Sequence, residues 1–166
     1  MLYVMVGMPG SGKSTYARQL AASGAILVDI DQIVAMVHGG DYSAYDIDCD
    51  PIYKSVEFFT AQAALLAGRD VVIDKCCQRA STRRRFTELA HQMRVKSKVV
   101  VFATGTPEEW ARRRFDGNSR GHTLEYWSKV VDVRIGQTDP VDYKVEGFDS
   151  IKVIGNSESK SWLVVG

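Results

Sequence analysis

The chain has 166 residues, of which 45% are hydrophobic and 25% charged, a composition typical of a folded globular protein. This length is typical of one domain, so we expect residues 1–166 to form a single domain, which excludes most multidomain machines. The 21 basic and 20 acidic side chains nearly balance. The overall charge therefore gives no indication of binding to nucleic acid or membrane.

Basic residues are concentrated in one part of the chain, residues 79–120. This segment holds nine arginines and two lysines against four acidic residues, an excess of seven positive charges. Residues 41–50, by contrast, contain four aspartates and no basic residue. We therefore expect one basic face on a protein whose overall charge is nearly neutral.

The cysteine pattern and the apolar segments bear on location. Cys49, Cys76 and Cys77 are odd in number and include an adjacent pair, which does not suit a secreted disulfide framework. No stretch approaches the ~20 apolar residues of a membrane-spanning helix. The N-terminal apolar run is broken by glycines and a lysine and does not end in a cleavage site. We expect a soluble cytoplasmic protein with reduced thiols and no membrane partner.

Short apolar runs alternate with longer segments of helical period, which predicts an α/β fold with a parallel sheet of about five strands flanked by helices. The runs are rich in Val and Ile, as buried parallel strands are. The predicted strands are residues 2–6, 25–28, 71–73, 99–102 and 151–154. Residues 162–165 are a candidate for a further edge strand.

The predicted helices are residues 13–22, 32–37, 51–67, 81–94, 107–115 and 123–135. Helix 51–67 carries Val56, Phe59, Ala63 and Leu66 on one face. Two helices have start signals: Ser81 precedes a charged turn, and Thr106-Pro107-Glu108-Glu109 combines a cap, a proline and acids. Residues 38–50 and 115–122 have no clear period and are predicted to be loops.

The strongest motif lies between the first predicted strand and the first predicted helix. It matches the pattern GxxxxGK[ST] at every fixed position and reads Gly7-Met8-Pro9-Gly10-Ser11-Gly12-Lys13-Ser14. Backbone N–H groups in such a loop converge on phosphate oxygens, and the helix N-terminus adds partial positive charge. Lys13 would contact the β- and γ-phosphates, and the Ser14 hydroxyl would ligate Mg²⁺. The motif therefore predicts a nucleoside triphosphate site, for which we expect ATP with Mg²⁺.

Other classes of P-loop protein fit the chain less well. A guanine-specific switch normally has an Asn-Lys-x-Asp base reader, whereas Asn118 and Asn156 are each followed by Ser. The chain is too short for a motor domain with its additional helical lid domain. A small kinase fits the size.

Three aspartates follow predicted strands and suit kinase chemistry. Asp29 and Asp31 lie after the second strand, at the carboxyl edge where ligands bind in open α/β sheets. Asp31 is the candidate base that accepts the proton of an acceptor hydroxyl; capping of the next helix is the alternative, and the two roles are compatible. Asp29 is interpreted as structural. Asp74 closes an apolar strand and is the candidate Mg²⁺ ligand, with capping of the next loop as the alternative.

Arginines flank residues 115–119. Arg112, Arg113 and Arg114 precede this segment and Arg120 follows it. A guanidinium binds several phosphate oxygens at once. We expect Arg120, together with Arg113 or Arg114, to cover the transferring phosphoryl group; for the run of three, a solvated helix face is the alternative.

These residues resemble those of the polynucleotide-kinase-like P-loop kinases, which include the kinase domain of phage polynucleotide 5′-kinase. The resemblance spans about residues 1–155. It implies a P-loop kinase fold with a mobile arginine-bearing lid, Asp31 as the general base and Arg120 as the lid arginine. The matching segments are residues 7–18, 68–74 with 83–86, 118–121 and 145–151. The expected nucleotide-binding residues are Gly7, Pro9, Gly10, Ser11, Gly12, Lys13, Ser14, Thr15, Arg113 and Arg114, and the expected metal ligands are Ser14 and Asp74.

The chain departs from the family pattern on the acceptor side. The family usually has an arginine three residues after the acceptor aspartate, where it holds an acceptor phosphate, but this chain has Val34 there. Asp74 is followed by Lys75, Cys76 and Cys77 in place of small polar residues. Both cysteines are interpreted as structural thiols, with a reactive thiol as the alternative.

The missing arginine leaves several acceptors open. Related phage kinases phosphorylate 5-hydroxymethyluracil within DNA, and there Tyr42 and Tyr45 would stack on a base that is flipped out, with loop packing as their alternative role. A nucleoside or other small-molecule kinase comes next, and then a module that binds ATP without transferring phosphate.

We therefore predict ATP- and Mg²⁺-dependent phosphoryl transfer to a hydroxyl on nucleic acid, with DNA favoured, by in-line attack and without a covalent enzyme intermediate. His38, His91 and His122 are not required for this chemistry. The location would be the host cytoplasm if a phage encodes the chain. The sequence leaves the acceptor hydroxyl and the oligomeric state open.

Overall fold

The computed structural model describes residues 1–41, 43–118 and 120–155. Strands and helices alternate along the chain and are numbered in chain order. The strands are β1 (Leu2–Val6), β2 (Ile26–Asp29), β3 (Val71–Asp74), β4 (Ser97–Ala103) and β5 (Ser150–Gly155). The helices are α1 (Lys13–Ala22), α2 (Ile30–Val37), α3 (Asp50–Leu66), α4 (Ala80–Gln92), α5 (Pro107–Asn118) and α6 (Leu124–Gly136), and a 3₁₀ turn spans Ile47–Cys49.

The described strands form one five-stranded parallel sheet in the order β2-β3-β1-β4-β5. The predicted parallel sheet flanked by helices is confirmed, and each predicted strand agrees with an observed one to within two residues. Because β1 is the central strand, the loop that follows it leaves the middle of the carboxyl edge. Asp29 and Asp74 are register partners on β2 and β3, so the sheet places these two acids side by side.

Two apolar clusters cover the two faces of the sheet. Val4 and Val6 of β1 belong to the larger cluster, and Met5 belongs to the smaller one, as the alternation of side chains along a strand requires. Helix α1 contributes Ala17 to the smaller cluster, whereas α2 to α6 all contribute to the larger one. Full burial of each such aliphatic side chain stabilises the fold by roughly 1.5–3 kcal/mol.

The start of α2 differs from the prediction. The helix begins at Ile30 and not near Gln32, and its N-cap is Asp29, whose Oδ1 accepts the Asp31 backbone N–H at 2.9 Å. Asp31 lies in the first turn and does not cap the helix. The capping role that the sequence allowed for Asp31 therefore belongs to Asp29.

The starts of α4 and α5 show one wrong and one correct prediction. Helix α4 begins at Ala80, before Ser81, and the Ala80 N–H is bonded to the Asp139 carboxylate at 2.8 Å. A remote acid therefore replaces the expected local cap. At α5 the Glu109 carboxylate accepts the Thr106 N–H at 2.9 Å, and Thr106 Oγ1 accepts the Glu109 N–H at 3.3 Å. This reciprocal pair is a capping box and confirms the predicted start.

The predicted loop at residues 115–122 needs correction, and two other predictions concern residues that the structure does not describe. Helix α5 continues to Asn118, so the first part of residues 115–122 is helical and not a loop. Tyr42 and the candidate edge strand at 162–165 lie outside the described residues. No helix of the described ranges is both long and apolar enough to cross a membrane.

The helical period of α3 is confirmed, but the face that carries Val56, Phe59, Ala63 and Leu66 is turned toward solvent. Phe59 is 62% exposed and Leu66 is 72% exposed. The buried face lies on the other side of the helix and consists of Tyr53, Glu57, Ala61 and Leu65.

One arginine of the basic segment 79–120 does not contribute to a basic face. Arg83 is completely buried, and its Nε donates to Glu146 at 2.6 Å. Its other guanidinium nitrogens donate to Glu146 and to the carbonyls of Cys77, Gln78, Asp139 and Pro140. This arginine connects α4 to the segment before β5 and is unavailable to a substrate.

Candidate active site

The loop between β1 and α1 is held in shape by its own backbone and by Lys13. Gly12 adopts a φ of +96° at the N-cap of α1, a left-handed conformation that favours glycine. The Ser11 N–H donates to the Met8 carbonyl at 3.1 Å, and the Lys13 ammonium donates to the same carbonyl at 2.8 Å. Lys13 is only 6% exposed, so its positive charge lies inside the curve of the loop.

Gly10 marks a close approach between this loop and α5. Its φ is +78°, and a Cβ at this position would lie 2.3 Å from the Trp110 carbonyl oxygen. Any larger residue would push the loop off the helix. Thr104, just after β4, adds a hydrogen bond of 3.1 Å from its hydroxyl to the Ser11 carbonyl. The phosphate-binding loop is thus supported from the β4–α5 side.

A cleft of about 540 Å³ opens above this loop. It brings together side chains that are distant in sequence: Lys13 and Ser14, Asp31, and the three arginines Arg113, Arg114 and Arg120. Positive charge dominates its wall, since five basic side chains face two aspartates, which favours anionic ligands. The lining residues are Gly10, Gly12, Lys13, Ser14, Thr15, Arg18, Asp29, Asp31, Gln32, Arg113, Arg114, Gly117 and Arg120. The remaining candidates, Gly7, Pro9, Ser11 and Asp74, lie outside that lining set.

Asp31 and Arg120 form an ion pair across the cleft, in which Arg120 Nη2 donates to Asp31 Oδ2. The Asp31 side chain is 49% exposed, and that of Arg120 is 18% exposed. The proposed base is therefore accessible from the cleft, and the proposed lid arginine lies directly beside it.

Asp29 lies deeper than Asp31. Burial raises the pKa of Asp29 most strongly, and the negative charge of Asp74 beside it raises the pKa further. The Asp29 Oδ1 atom accepts a hydrogen bond from the Asp31 N–H. These features fit the structural role that the sequence suggested for Asp29.

Asp74 and Ser14 provide oxygen donors at the base of the loop. Asp74 is 5% exposed, and burial raises its pKa, while the Ser14 hydroxyl and then the Lys13 ammonium act in the opposite direction. A desolvated carboxylate next to a hydroxyl suits a hard cation such as Mg²⁺, so these residues fit the metal. The described residues hold no cluster of three or more His, Cys, Asp or Glu that could bind a metal, but this type of site needs only one hydroxyl and one acid from the protein.

The three consecutive arginines of α5 have different surroundings. Arg113 lies 3.7 Å from the Glu109 carboxylate, one helical turn away. The Arg114 guanidinium lies over the Trp127 ring, 4.8 Å from its centroid. Both line the cleft, whereas Arg112 is not among its lining residues.

The sequence analysis missed three residues of the cleft, Arg18, Gln32 and Gly117, and treated Asp29, which also lines it, as structural only. Arg18 follows Ser14 by four residues on α1, so both lie on the same helix face. That spacing was the available signal. The charge of Arg18 also opposes the rise in the pKa of Asp74 that burial causes. Gln32 directly follows Asp31 and had no signal of its own.

The acceptor-side departures have structural explanations. Val34 is 3% exposed and belongs to the larger core cluster, so this position does not face the cleft. Lys75 Nζ donates to the buried carboxylate of Glu57 at 3.2 Å. Cys77 is buried, and desolvation raises the pKa of its thiol far above the ordinary value. A buried, protonated thiol is unreactive, as the structural interpretation of Cys77 requires.

Comparison with known proteins supports this description of the fold. Residues 2–124 match the family model described as AAA domain. The structure is similar to a gluconokinase from Sinorhizobium meliloti 1021, with a TM-score of 0.56 and 19% identity over 96% of this chain and 84% of that chain. It is also similar to Chaetomium thermophilum Kti12 in complex with ADP-AlF3, with a TM-score of 0.59 and 18% identity over 98% and 93% of the two chains.

A third similar structure is a chain of the Pnkp1/Rnl/Hen1 complex, with a TM-score of 0.59 and 21% identity over 95% of this chain and 47% of that chain. The search of curated proteins gave no significant match. At these identities the likeness shows a shared fold, which is the P-loop kinase fold.

Proposed function

The chain belongs to the P-loop family described as AAA domain, and from that premise we propose that it is an ATP-dependent kinase that phosphorylates a hydroxyl group on nucleic acid. One observation carries the proposal: the Asp31–Arg120 ion pair and the phosphate-binding loop share a single cleft. A general base, a phosphate-binding loop and a mobile cation are the parts that phosphoryl transfer requires.

The loop binds the nucleotide. Its backbone N–H groups and the N-terminus of α1 contact the β- and γ-phosphates, and Lys13 leaves the Met8 carbonyl to neutralise them. Ser14 and Asp74 would hold Mg²⁺, which would supply positive charge to the phosphates.

The transfer itself is a direct displacement. Asp31 accepts the proton of the acceptor hydroxyl as the acceptor oxygen forms its bond to the γ-phosphorus. The bond from the γ-phosphorus to the bridging oxygen breaks in line, and ADP leaves. Arg120 exchanges its contact with Asp31 for the equatorial phosphoryl oxygens and stabilises their charge. No protein atom is covalently modified.

Two features favour a nucleic acid over a neutral small molecule as the acceptor. The cleft carries an excess of positive charge, which suits a polyanion as well as ATP. Near Arg120, the rings of His122 and Tyr126 stack with centroids 3.9 Å apart, and Tyr126 is 42% exposed. Exposed aromatic rings stack on nucleobases without regard to sequence.

A second candidate acceptor is a base hydroxymethyl group inside DNA, as in 5-hydroxymethyluracil. The burial of Val34 favours it, since that position presents no arginine to a terminal phosphate. A kinase without such a clamp has less reason to prefer strand ends.

The test is transfer of radiolabelled γ-phosphate to a panel of acceptors. It compares a 5′-OH DNA oligonucleotide, a 5′-phosphorylated oligonucleotide with internal 5-hydroxymethyluracil, free nucleosides and gluconate. Label on either DNA that disappears with Asp31→Asn supports the proposal, and digestion to nucleosides identifies the labelled hydroxyl. Label on nucleosides or gluconate alone would contradict a nucleic acid acceptor. ATP binding without any transfer would contradict the kinase assignment.

A further inference from the structure

Helix α3 has an apolar stripe on its solvent side. Ile52 is 50% exposed, Phe59 is 62% exposed and Leu66 is 72% exposed. Ala63 is also exposed, and Val56 is partly buried. These five side chains follow one another at intervals of four, three, four and three residues, which is the spacing of a coiled-coil seam. From Ile52 to Leu66 the stripe extends about 21 Å along the helix.

From Ser55 to its end, the solvent side of α3 also lacks charge. From Ser55 to Gly68 the only ionisable side chain is Glu57, and Glu57 is fully buried. The exposed helices of a monomer normally carry charged or strongly polar residues opposite their buried face. An uncharged, apolar helix face of this length indicates a surface that another protein surface covers.

We propose that a second copy of this chain covers the stripe, with the two α3 helices packed antiparallel across a two-fold axis at Phe59. Ile52 and Leu66 lie seven residues on either side of Phe59. Antiparallel pairing therefore sets Ile52 of one copy against Leu66 of the partner subunit, and Phe59 against its own equivalent. A two-fold interface requires such a self-complementary patch.

The electrostatics of the helix suit this occupant. Lys54 is exposed near the start of α3 but is paired with Asp50, and the residues from Ser55 to Leu66 expose no charge. Two identical surfaces therefore approach without strong repulsion between like charges. Antiparallel packing also places the N-terminus of each helix near the C-terminus of the other, which aligns their dipoles favourably.

Two further exposed apolar side chains lie on elements that pack against α3. Met36 at the end of α2 is 63% exposed, and Ile47 in the 3₁₀ turn is 70% exposed. Both elements pack against α3. The cleft above the phosphate-binding loop is lined from that loop, α1, the start of α2 and the α5–Arg120 segment. Pairing through α3 therefore leaves the cleft open. The dimer proposal does not depend on the kinase assignment and can be tested separately from it.

The first test is the mass of the full chain in solution, measured by sedimentation over a range of protein concentrations. Wild type should have about twice the mass of the 18.4 kDa chain, and Phe59→Lys should have the mass of one chain. The matched control is Val133→Lys, which changes a 56% exposed residue of α6 and should stay dimeric. Unchanged circular dichroism and thermal melting show that each variant is folded. A wild type that is monomeric at every concentration, or a dimeric Phe59→Lys, would overturn the proposal.

The second test fixes the orientation by disulfide cross-linking, in a parent with Cys49→Ser and Cys76→Ser. Phe59→Cys should form a cross-linked dimer on oxidation, whereas Val133→Cys should not. Mixed samples of Ile52→Cys and Leu66→Cys, distinguished by a tag on one chain, should cross-link to each other. Cross-linking of each only to itself would indicate parallel helices and refute the arrangement. A monomer whose Leu66→Cys thiol reacts with maleimide only after removal of residues 156–166 would assign the stripe to the chain's own C-terminal segment and refute the dimer.

Discussion

The Arg120 guanidinium donates a hydrogen bond to the Asp31 carboxylate, although 89 residues separate them in sequence. Asp31 lies at the start of α2, after an edge strand, and Arg120 follows α5. Their contact joins these two parts of the cleft wall. The transferred phosphoryl group would pass between these two side chains.

Asp31→Asn should lower turnover by roughly 10² to 10⁴, with little change in ATP affinity, because an amide does not accept the proton. The matched variant is Asp29→Asn, which keeps a side-chain oxygen for the helix cap and should be milder. Steady-state kinetics of both variants, with nucleotide binding measured separately, make the comparison. A larger loss for Asp29→Asn would exchange the roles of the two acids.

Arg120→Ala should lower turnover by roughly 10² to 10³ and change the acceptor KM less, if the guanidinium stabilises charge mainly in the transition state. Arg120→Lys should recover part of the loss, since it restores charge but not the planar donor pair. An effect confined to the acceptor KM would instead place Arg120 in the acceptor-binding groove.

Lys13→Met should abolish transfer while it preserves much of the apolar stem that is buried in the loop. Because the ammonium makes one hydrogen bond, to the Met8 carbonyl, the free energy of unfolding without nucleotide should change by only about 1 kcal/mol. Lys129→Met, at an exposed position of α6, is the control for loss of a positive charge. Turnover near that of wild type in Lys13→Met would refute the assignment of this loop.

Glu146→Ala should reduce the free energy of unfolding by about 3–5 kcal/mol, because it leaves the Arg83 charge buried without its carboxylate partner. Glu125→Ala removes one partner of an exposed pair with Lys129 and should cost at most about 1 kcal/mol. Urea denaturation of both variants measures the difference. Equal effects would contradict the structural role assigned to Arg83.

Asp149 should make stability sensitive to acid. Hydrogen bonds from the Lys96 ammonium at 2.7 Å and the Ser97 N–H at 2.8 Å hold the pKa of Asp149 at about 2, below its ordinary 3.8. Because the pKa is lower in the folded state, this stabilisation is complete above the unfolded value and is lost as the pH falls through about 2. As the pH falls from 3.8 to about 2, the free energy of unfolding measured in urea titrations should therefore decrease less for Asp149→Asn than for wild type. Identical pH profiles would show that these bonds do not stabilise the start of β5.

The sequence predicted what depends on short-range patterns. Each strand is a run of apolar residues, and the phosphate-binding loop needs glycines at fixed positions because its backbone turns sharply at Gly12 and contacts α5 at Gly10. The capping box of Thr106 and Glu109 is local in the same way. Such features are encoded within a few residues, so they can be recognised without knowledge of the neighbours.

Tertiary packing decided what depends on partners that are distant in sequence. The period of α3 indicated that Val56, Phe59, Ala63 and Leu66 share a face, but only the sheet and the adjoining helices determine that the opposite face is buried. Arg83 belongs to a run of three arginines in which no local signal marks it for burial. It is buried because Glu146 and four backbone carbonyl groups, all brought together by the fold, surround its guanidinium. Likewise, Asp29 and Asp74 became neighbours through strand register, and Asp31 met Arg120 only when the chain closed around the cleft. Burial and electrostatic pairing are properties of a whole packed environment, and no local pattern specifies them.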